Sequence, residues 1–174
     1  DEATQAYAVA LSAADEDFVD FGAMASFMDS GSWAILEKVK IPAGATVGWH
    51  FFRGKGWEDL AGNVAIQLRN DVDAGQVYGW VNAGGWVVVQ MDKNDVAGLE
   101  ILDDTWYTVC MQHDAVGGKL QLYVNGNFIM EVACEAIDDS GNTNKLFWGG
   151  QDVDPVAYPL EGDLYTEADC TIAH

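Results

Sequence analysis

The chain has 174 residues, 49% of them hydrophobic, and carries 28 Asp and Glu against 8 Lys and Arg, a formal charge of −20. This length fits one domain around one core, and the apolar content together with 19 glycines describes a turn-rich globule, which excludes a disordered acidic segment. The charge excludes nucleic acid and anionic lipid as partners, since binders of either use Lys and Arg to displace counterions, and no apolar run is long enough for membrane insertion.

No stretch sustains a helical period with caps. Short β-rich runs punctuated by Gly, Asn and Asp recur roughly every 8–12 residues, the spacing of an all-β sandwich or barrel. Strands are predicted at 5–12, 17–21, 32–41, 46–53, 63–69, 75–81, 86–91, 99–102, 106–113, 119–124, 127–133, 145–148 and 162–166. Ile41-Pro42-Ala43-Gly44-Ala45 reads as a turn in which Pro presets φ. Asn82-Ala83-Gly84-Gly85 turns a hairpin that brings Trp80 and Trp86 near each other. In LYVNGNFIMEV, Asn125-Gly126 is the type I′ dipeptide, and Leu120, Leu122 and Val124 alternate with Gln121 and Tyr123 before it. Residues 134–144 (CEAIDDSGNTN) and 151–159 read as exposed loops.

The chemistry-bearing residues are sparse in groupings. Cys110, Cys134 and Cys170 have no C-x-x-C spacing, so a zinc or redox motif is not supported; one disulfide with one buried thiol suits an exported protein, and three reduced thiols suit a cytosolic one. The start at Asp1 without an initiator Met points to an extracellular or cell-surface protein whose leader has been removed. His50, His113 and His174 are scattered and read as structural or exposed. No G-x-S-x-G turn or Walker spacing occurs. Glu161, Asp163, Glu167 and Asp169 have the odd spacing that places four carboxylates on one strand face. Glycoside hydrolysis, however, needs two carboxylates flanking a cleft, one of them with its pKa raised by an apolar site.

The order of blocks along the chain resembles that of laminin-G-like domains. Asp17-Phe18-Val19-Asp20-Phe21-Gly22 is similar to their "D-Y-V-D-L-G" strand, and Ser32-Trp33-Ala34-Ile35-Leu36-Glu37 to "S-A-W-V-K" with the Trp one place early. Asp104-Thr105-Trp106-Tyr107-Thr108-Val109 resembles "W-H-H-V-A", and Leu122-Tyr123-Val124-Asn125-Gly126 matches "L-Y-V-D-G" almost letter for letter. Leu146-Phe147-Trp148-Gly149-Gly150 and Leu160-Glu161-Gly162-Asp163-Leu164-Tyr165 resemble the closing "L-x-I-G-G" and "F-x-G-x-I-D", with Tyr165 in place of the second acid. The resemblance implies one domain over 1–174 with the concanavalin A-like jelly-roll β-sandwich, two curved antiparallel sheets. It also implies a non-catalytic domain that binds sugars or proteins, often beside calcium on the rim.

Among the seven tryptophans, Trp33, Trp106 and Trp148 fall in apolar strand patterns and are expected in the core. Trp49, Trp57, Trp80 and Trp86 are flanked by Gly, His and charged residues and are the candidate ligand-binding set, since exposed indole faces rimmed by polar groups stack on sugars; packing against another subunit and simple core burial are the competing readings. For calcium the candidates are Asp20 and Asp163, expected on adjacent strands at the chain ends, with Asp152 and Asp154, and with Asp15 and Asp17 nearby; a solvated acidic surface is the alternative. The leading expectation is an extracellular, non-catalytic domain for carbohydrate binding or adhesion, with a glycan or surface protein as partner. The second is a structural subunit of a filament, surface coat or virion decoration, self-associating through residues 1–12, where Tyr7, Val9 and Leu11 alternate with small residues in a first strand or exchanged arm. A glycoside hydrolase or lyase is the third.

Overall fold

The computed structural model of the chain describes residues 7–11, 19–23, 28, 31–40, 49–56, 60–69, 76–91, 105–148 and 162–166. Twelve strands lie among them: β1 (Tyr7–Leu11), β2 (Val19–Ala23), β3 (Trp33–Lys40), β4 (Trp49–Lys55), β5 (Val64–Arg69), β6 (Gln76–Asn82), β7 (Trp86–Met91), β8 (Trp106–Asp114), β9 (Lys119–Val124), β10 (Asn127–Ala133), β11 (Lys145–Trp148) and β12 (Gly162–Thr166). Each matches a predicted strand. The predicted strand at 99–102 and the turns at 41–45 and 151–159 lie outside the described residues.

The strands form two six-stranded antiparallel sheets, the first in the order β1-β12-β3-β8-β9-β10 and the second β2-β11-β4-β5-β6-β7. Period-two alternation decides which residues meet between them. In β3, Trp33, Ile35, Glu37 and Val39 are buried while Ala34, Leu36 and Lys38 face outward; in β8 and β9 the buried set is Tyr107, Val109, Met111 and His113, then Leu120, Leu122 and Val124. The second sheet answers with Val64, Ile66, Val77, Val81, Val89 and Met91 in the same core. Each such buried aliphatic side chain is worth about 1.5–3 kcal/mol relative to exposure.

The sheets interlock at one bare position. A Cβ on Gly79 of β6 would stand 2.7 Å from the Met111 sulfur of β8, so the missing side chain is the socket for that thioether. Along one side the two edge strands meet as well, where the Gln90 N–H of β7 donates to Met130 Sδ of β10 at 3.2 Å. At the other edge of the first sheet, β1 pairs with this chain's own β12, from Tyr7 opposite Thr166 to Leu11 opposite Gly162.

Turn chemistry agrees with the sequence at both hairpins. Asn125 and Gly126 take φ of 50° and 77°, and Asn125 is tied to β8 twice, its N–H donating to Thr108 O at 2.8 Å and its Oδ1 accepting the Thr108 N–H at 2.9 Å. Gly84 takes φ 82° and its N–H donates to Asn82 Oδ1 at 3.0 Å.

One expectation is corrected here and one refined. Trp106 is not core: it starts β8 on the outward set with Thr108 and Gln112, half-buried beneath the Lys38 and Lys40 ammoniums at 5.9 and 5.5 Å from its ring, while Tyr107 takes the inward place. Residues 134–144 form the expected loop, with Glu135, Ala136, Asp138, Ser140, Gly141 and Thr143 exposed, but every few residues it is anchored in the core. It is a strap whose Cys134, Ile137, Asp139 and Asn142 are buried. Asp139 Oδ2 accepts the Met28 N–H at 3.0 Å and lies 3.6 Å from the buried Lys55 ammonium; Asn142 Nδ2 donates to Ala61 O and Asn63 Oδ1, both at 2.8 Å. Asp139 and Asn142, two of the polar residues that suggested solvent, are instead spent on distant groups, which need partners when buried.

Candidate functional site

The face of the second sheet turned away from the core is built by the residues that alternate with its core set. In β5, Val64 and Ile66 point inward, so Ala65 and Gln67 point out; in β6 the outward residues are Tyr78, Trp80 and Asn82, and in β7 Trp86, Val88 and Gln90. Strand pairing aligns them in rows across the sheet: Gln67 opposite Tyr78 and Tyr78 opposite Gln90, Ala65 opposite Trp80 and Trp80 opposite Val88, Asn82 opposite Trp86. By Cα register Phe51 stands opposite Gln67, and Trp49 opposite Arg69, which is opposite Gln76.

Burial deepens across this face. Trp86 on the edge strand is 45% exposed, Val88, Gln90 and Tyr78 are half-buried, and Trp80, Ala65 and Gln67 are closed off. Trp80 and Trp86 pack edge to face, ring centroids 4.6 Å apart at 76°, the arrangement the indole quadrupoles favour. That contact fixes the Trp86 ring while leaving it open to solvent. Trp80 was expected as an exposed platform; at 2% exposure it is the buried support of one, because Ala65 beneath it leaves room for the indole against the sheet.

Thus three of the four candidate tryptophans fall on this sheet, Trp80 and Trp86 in contact and Trp49 in a register row of β4, while Trp57 lies outside the described residues. Sequence reasoning missed Tyr78 and Gln67. Gln67 is 0% exposed, and both its amide oxygen and its amide nitrogen lack a hydrogen-bond partner. A signal for it existed in V-A-I-Q-L-R, where the polar residue falls on the beat opposite to Val64 and Ile66.

The carboxylate expectations fare differently. Asp20 lies in β2 of the second sheet and Asp163 in β12 of the first, so they are not on adjacent strands; the chain changes sheet between β1 and β2 and again between β11 and β12. Asp163 is the Cα partner of Lys40 and of Ala10, and Asp20 of Phe147. Asp15, Asp17, Asp152 and Asp154 lie outside the described residues, as do Glu161, Glu167 and Asp169. Among the described residues no three His, Cys, Asp or Glu gather as a metal site, and no helix is long and apolar enough to cross a membrane. His113 is structural: it is buried beside Trp33, with ring nitrogens 3.4 and 3.3 Å from the carbonyl oxygens of Gly31 and Cys134. Cys110 and Cys134 are free thiols, each with its pKa raised by burial.

No protein-family model matches the sequence, and no curated protein matches it. Solved structures match by fold. The CBM40 of the Ruminococcus gnavus IT-sialidase, bound to α2,3-sialyllactose, superposes with a TM-score of 0.63 at 15% identity over 92% of this chain and 86% of that one. Domains LG4-5 of the mouse laminin α1 chain give 0.63 at 13% identity over 97% of this chain and 43% of that one. The chain is a concanavalin A-like jelly roll. The same fold likeness extends to the enzymatically active domain of tailspike protein 2 from bacteriophage CBA120, at a TM-score of 0.63 and 14% identity over 93% of this chain. The jelly roll spans 26% of that tailspike chain, so what is shared there is one part of a larger protein. On the jelly roll described above, the aromatic face belongs to the sheet that carries β4 to β7.

Proposed function

We propose that this jelly roll is a non-catalytic, extracellular carbohydrate-binding domain, and that sugars engage the outward face of its second sheet. The observation that carries the reading is the Trp80–Trp86 pair, one indole buried as a support and the other held open opposite Asn82, with Tyr78 and Gln90 two rows further along the same face. A pyranose offers a flat array of C–H groups on one face and hydroxyls around its rim. A fixed indole with polar side chains close by matches both, at small entropic cost because the ring is already held. The fold likeness to a CBM40 bound to sialyllactose and to laminin LG domains supports a binding role.

Calcium enters this proposal only as a rim ion held by loop carboxylates such as Asp152 and Asp154, since Asp20 and Asp163 belong to different sheets. The arm-exchange reading draws no support from β1, which is paired with β12 of its own chain.

The experiment is a glycan array followed by calorimetric titration of the purified chain, with lactose, cellotetraose, laminaritetraose and α2,3-sialyllactose in the set. Binding of at least one saccharide at millimolar concentration or below is expected, and Trp86→Ala should weaken it about tenfold or more through loss of the stacking surface. No saccharide bound by the wild type, with or without calcium, would remove the reading.

A further inference from the structure

We infer that Gln67 is the residue that orients the sugar on this face, and that the sugar it takes is a neutral pyranose presenting two neighbouring hydroxyls. The inference rests on the carbohydrate-binding reading and names the chemistry of its ligand. A glutamine amide carries one carbonyl acceptor and an NH2 donor side by side, so it can hold one hydroxyl as donor and the next as acceptor. Gln67 has both atoms free of protein partners, is wholly buried, and points from β5 onto the outward face in register with Tyr78.

Leaving a buried amide unmatched is costly, and most such groups in folded proteins are paired. A leucine or methionine would fill the place without that cost, next to Ala65 and the Trp80 indole. A group kept at a loss to stability is the pattern of a site whose partner arrives later. Because the amide is closed off from solvent in the free protein, binding selects a form in which it is reachable, and the apparent affinity is reduced by the population of that form.

Charge points to a neutral sugar. Gln67, Tyr78, Trp80, Asn82, Trp86 and Gln90 on this face are uncharged and Arg69 extends the β5 row by register, but the molecule's net charge of −20 repels anions as a whole. A sialylated glycan brings a carboxylate against that field; a neutral one does not.

The test replaces Gln67 by Met, which keeps length and removes polarity, with Gln67→Leu as the second variant, and measures two quantities on each. Thermal unfolding should rise by about 2 °C or more, because an unmatched amide has gone. Affinity for the tightest neutral sugar among lactose, cellotetraose and laminaritetraose should fall about tenfold or more, because a site built for a hydroxyl loses its partner. Higher midpoint with unchanged affinity would overturn the inference and leave the carbohydrate-binding reading standing. A lower midpoint in both variants would overturn it too, since the amide would then be satisfied in the free protein. Wild-type binding of α2,3-sialyllactose with no neutral sugar bound would overturn the ligand class. A wild type that binds none of them overturns the binding reading itself.

Discussion

At Gly62, φ is +81° and a Cβ would stand 2.1 Å from Asp139 Cβ. This glycine is therefore required twice, once for its backbone conformation and once for the close approach of the strap. Gly84 separates the two demands, with φ of +82° and open space where its Cβ would be. Gly84→Ala is expected to cost about 1 kcal/mol from conformation alone. Gly62→Ala should cost about 3 kcal/mol or more, since the strap must move and the Asp139 contacts to Met28 and Lys55 with it. Urea unfolding of the two variants checks this, and equal losses would mean that the strap yields freely. None of this was legible in CEAIDDSGNTN, because Asp139 is matched to Met28, 111 residues away, and a local window sees only turn-forming residues. Trp106 was legible in principle: it shares the outward beat with Thr108, Cys110 and Gln112, and only the ring's apolar bulk argued for the core.

At the scale of elements, strands were readable where one face is buried and the other wet. β3, β8 and β9 alternate strictly, and their register follows from the alternation and from the Asn125-Gly126 turn. The assignment of β2 and β12 to different sheets was not readable, since that depends on where the chain crosses between sheets and no local pattern encodes it. The β9–β10 hairpin also carries a pH prediction. Across it the Lys119 ammonium donates to Glu131, and Gln121 Nε2 donates to the same carboxylate at 2.9 Å. The hydrogen bond from Lys119, then that from Gln121, holds the Glu131 pKa below the ordinary carboxylate value; the same bond to Glu131 raises that of Lys119. A carboxylate lowered in the folded state stabilises fully above its unfolded pKa, about 4.3, and loses that contribution as pH falls through the folded value. For the lysine the contribution is present below about 10.4 and fades as pH rises through its raised pKa. Glu131→Gln should therefore be less stable than wild type at pH 7 and should converge with it in acid. A gap that persists unchanged at pH 2 would show that the pair's charge plays no part.

Taken whole, the molecule opposes its own folding electrostatically, with 28 acidic residues spread over one small sandwich that has 8 basic ones. Sodium chloride should raise the thermal midpoint by screening that repulsion. Calcium at the same ionic strength should raise it further, and chelator should cancel only the second increment, if loop carboxylates hold an ion as proposed; at a hundred times its dissociation constant a bound ion adds about 2.7 kcal/mol. Coincident curves in calcium and in sodium at equal ionic strength would leave the acidity to solubility alone. Asp20→Asn and Asp163→Asn should not abolish a calcium increment, because their strands lie in separate sheets.

The socket that Gly79 offers to Met111 gives the fold a chemical clock. The Met111 sulfur is buried where the two sheets touch, and oxidation would add a polar oxygen to an atom that already stands 2.7 Å from where even a methyl on Gly79 would sit. Peroxide can therefore reach it only while the sheets are apart. Its sulfoxide, once formed, has no room to return. The rate at which Met111 is oxidised under native conditions thus follows the population of the opened sandwich, and each opening that is caught becomes permanent.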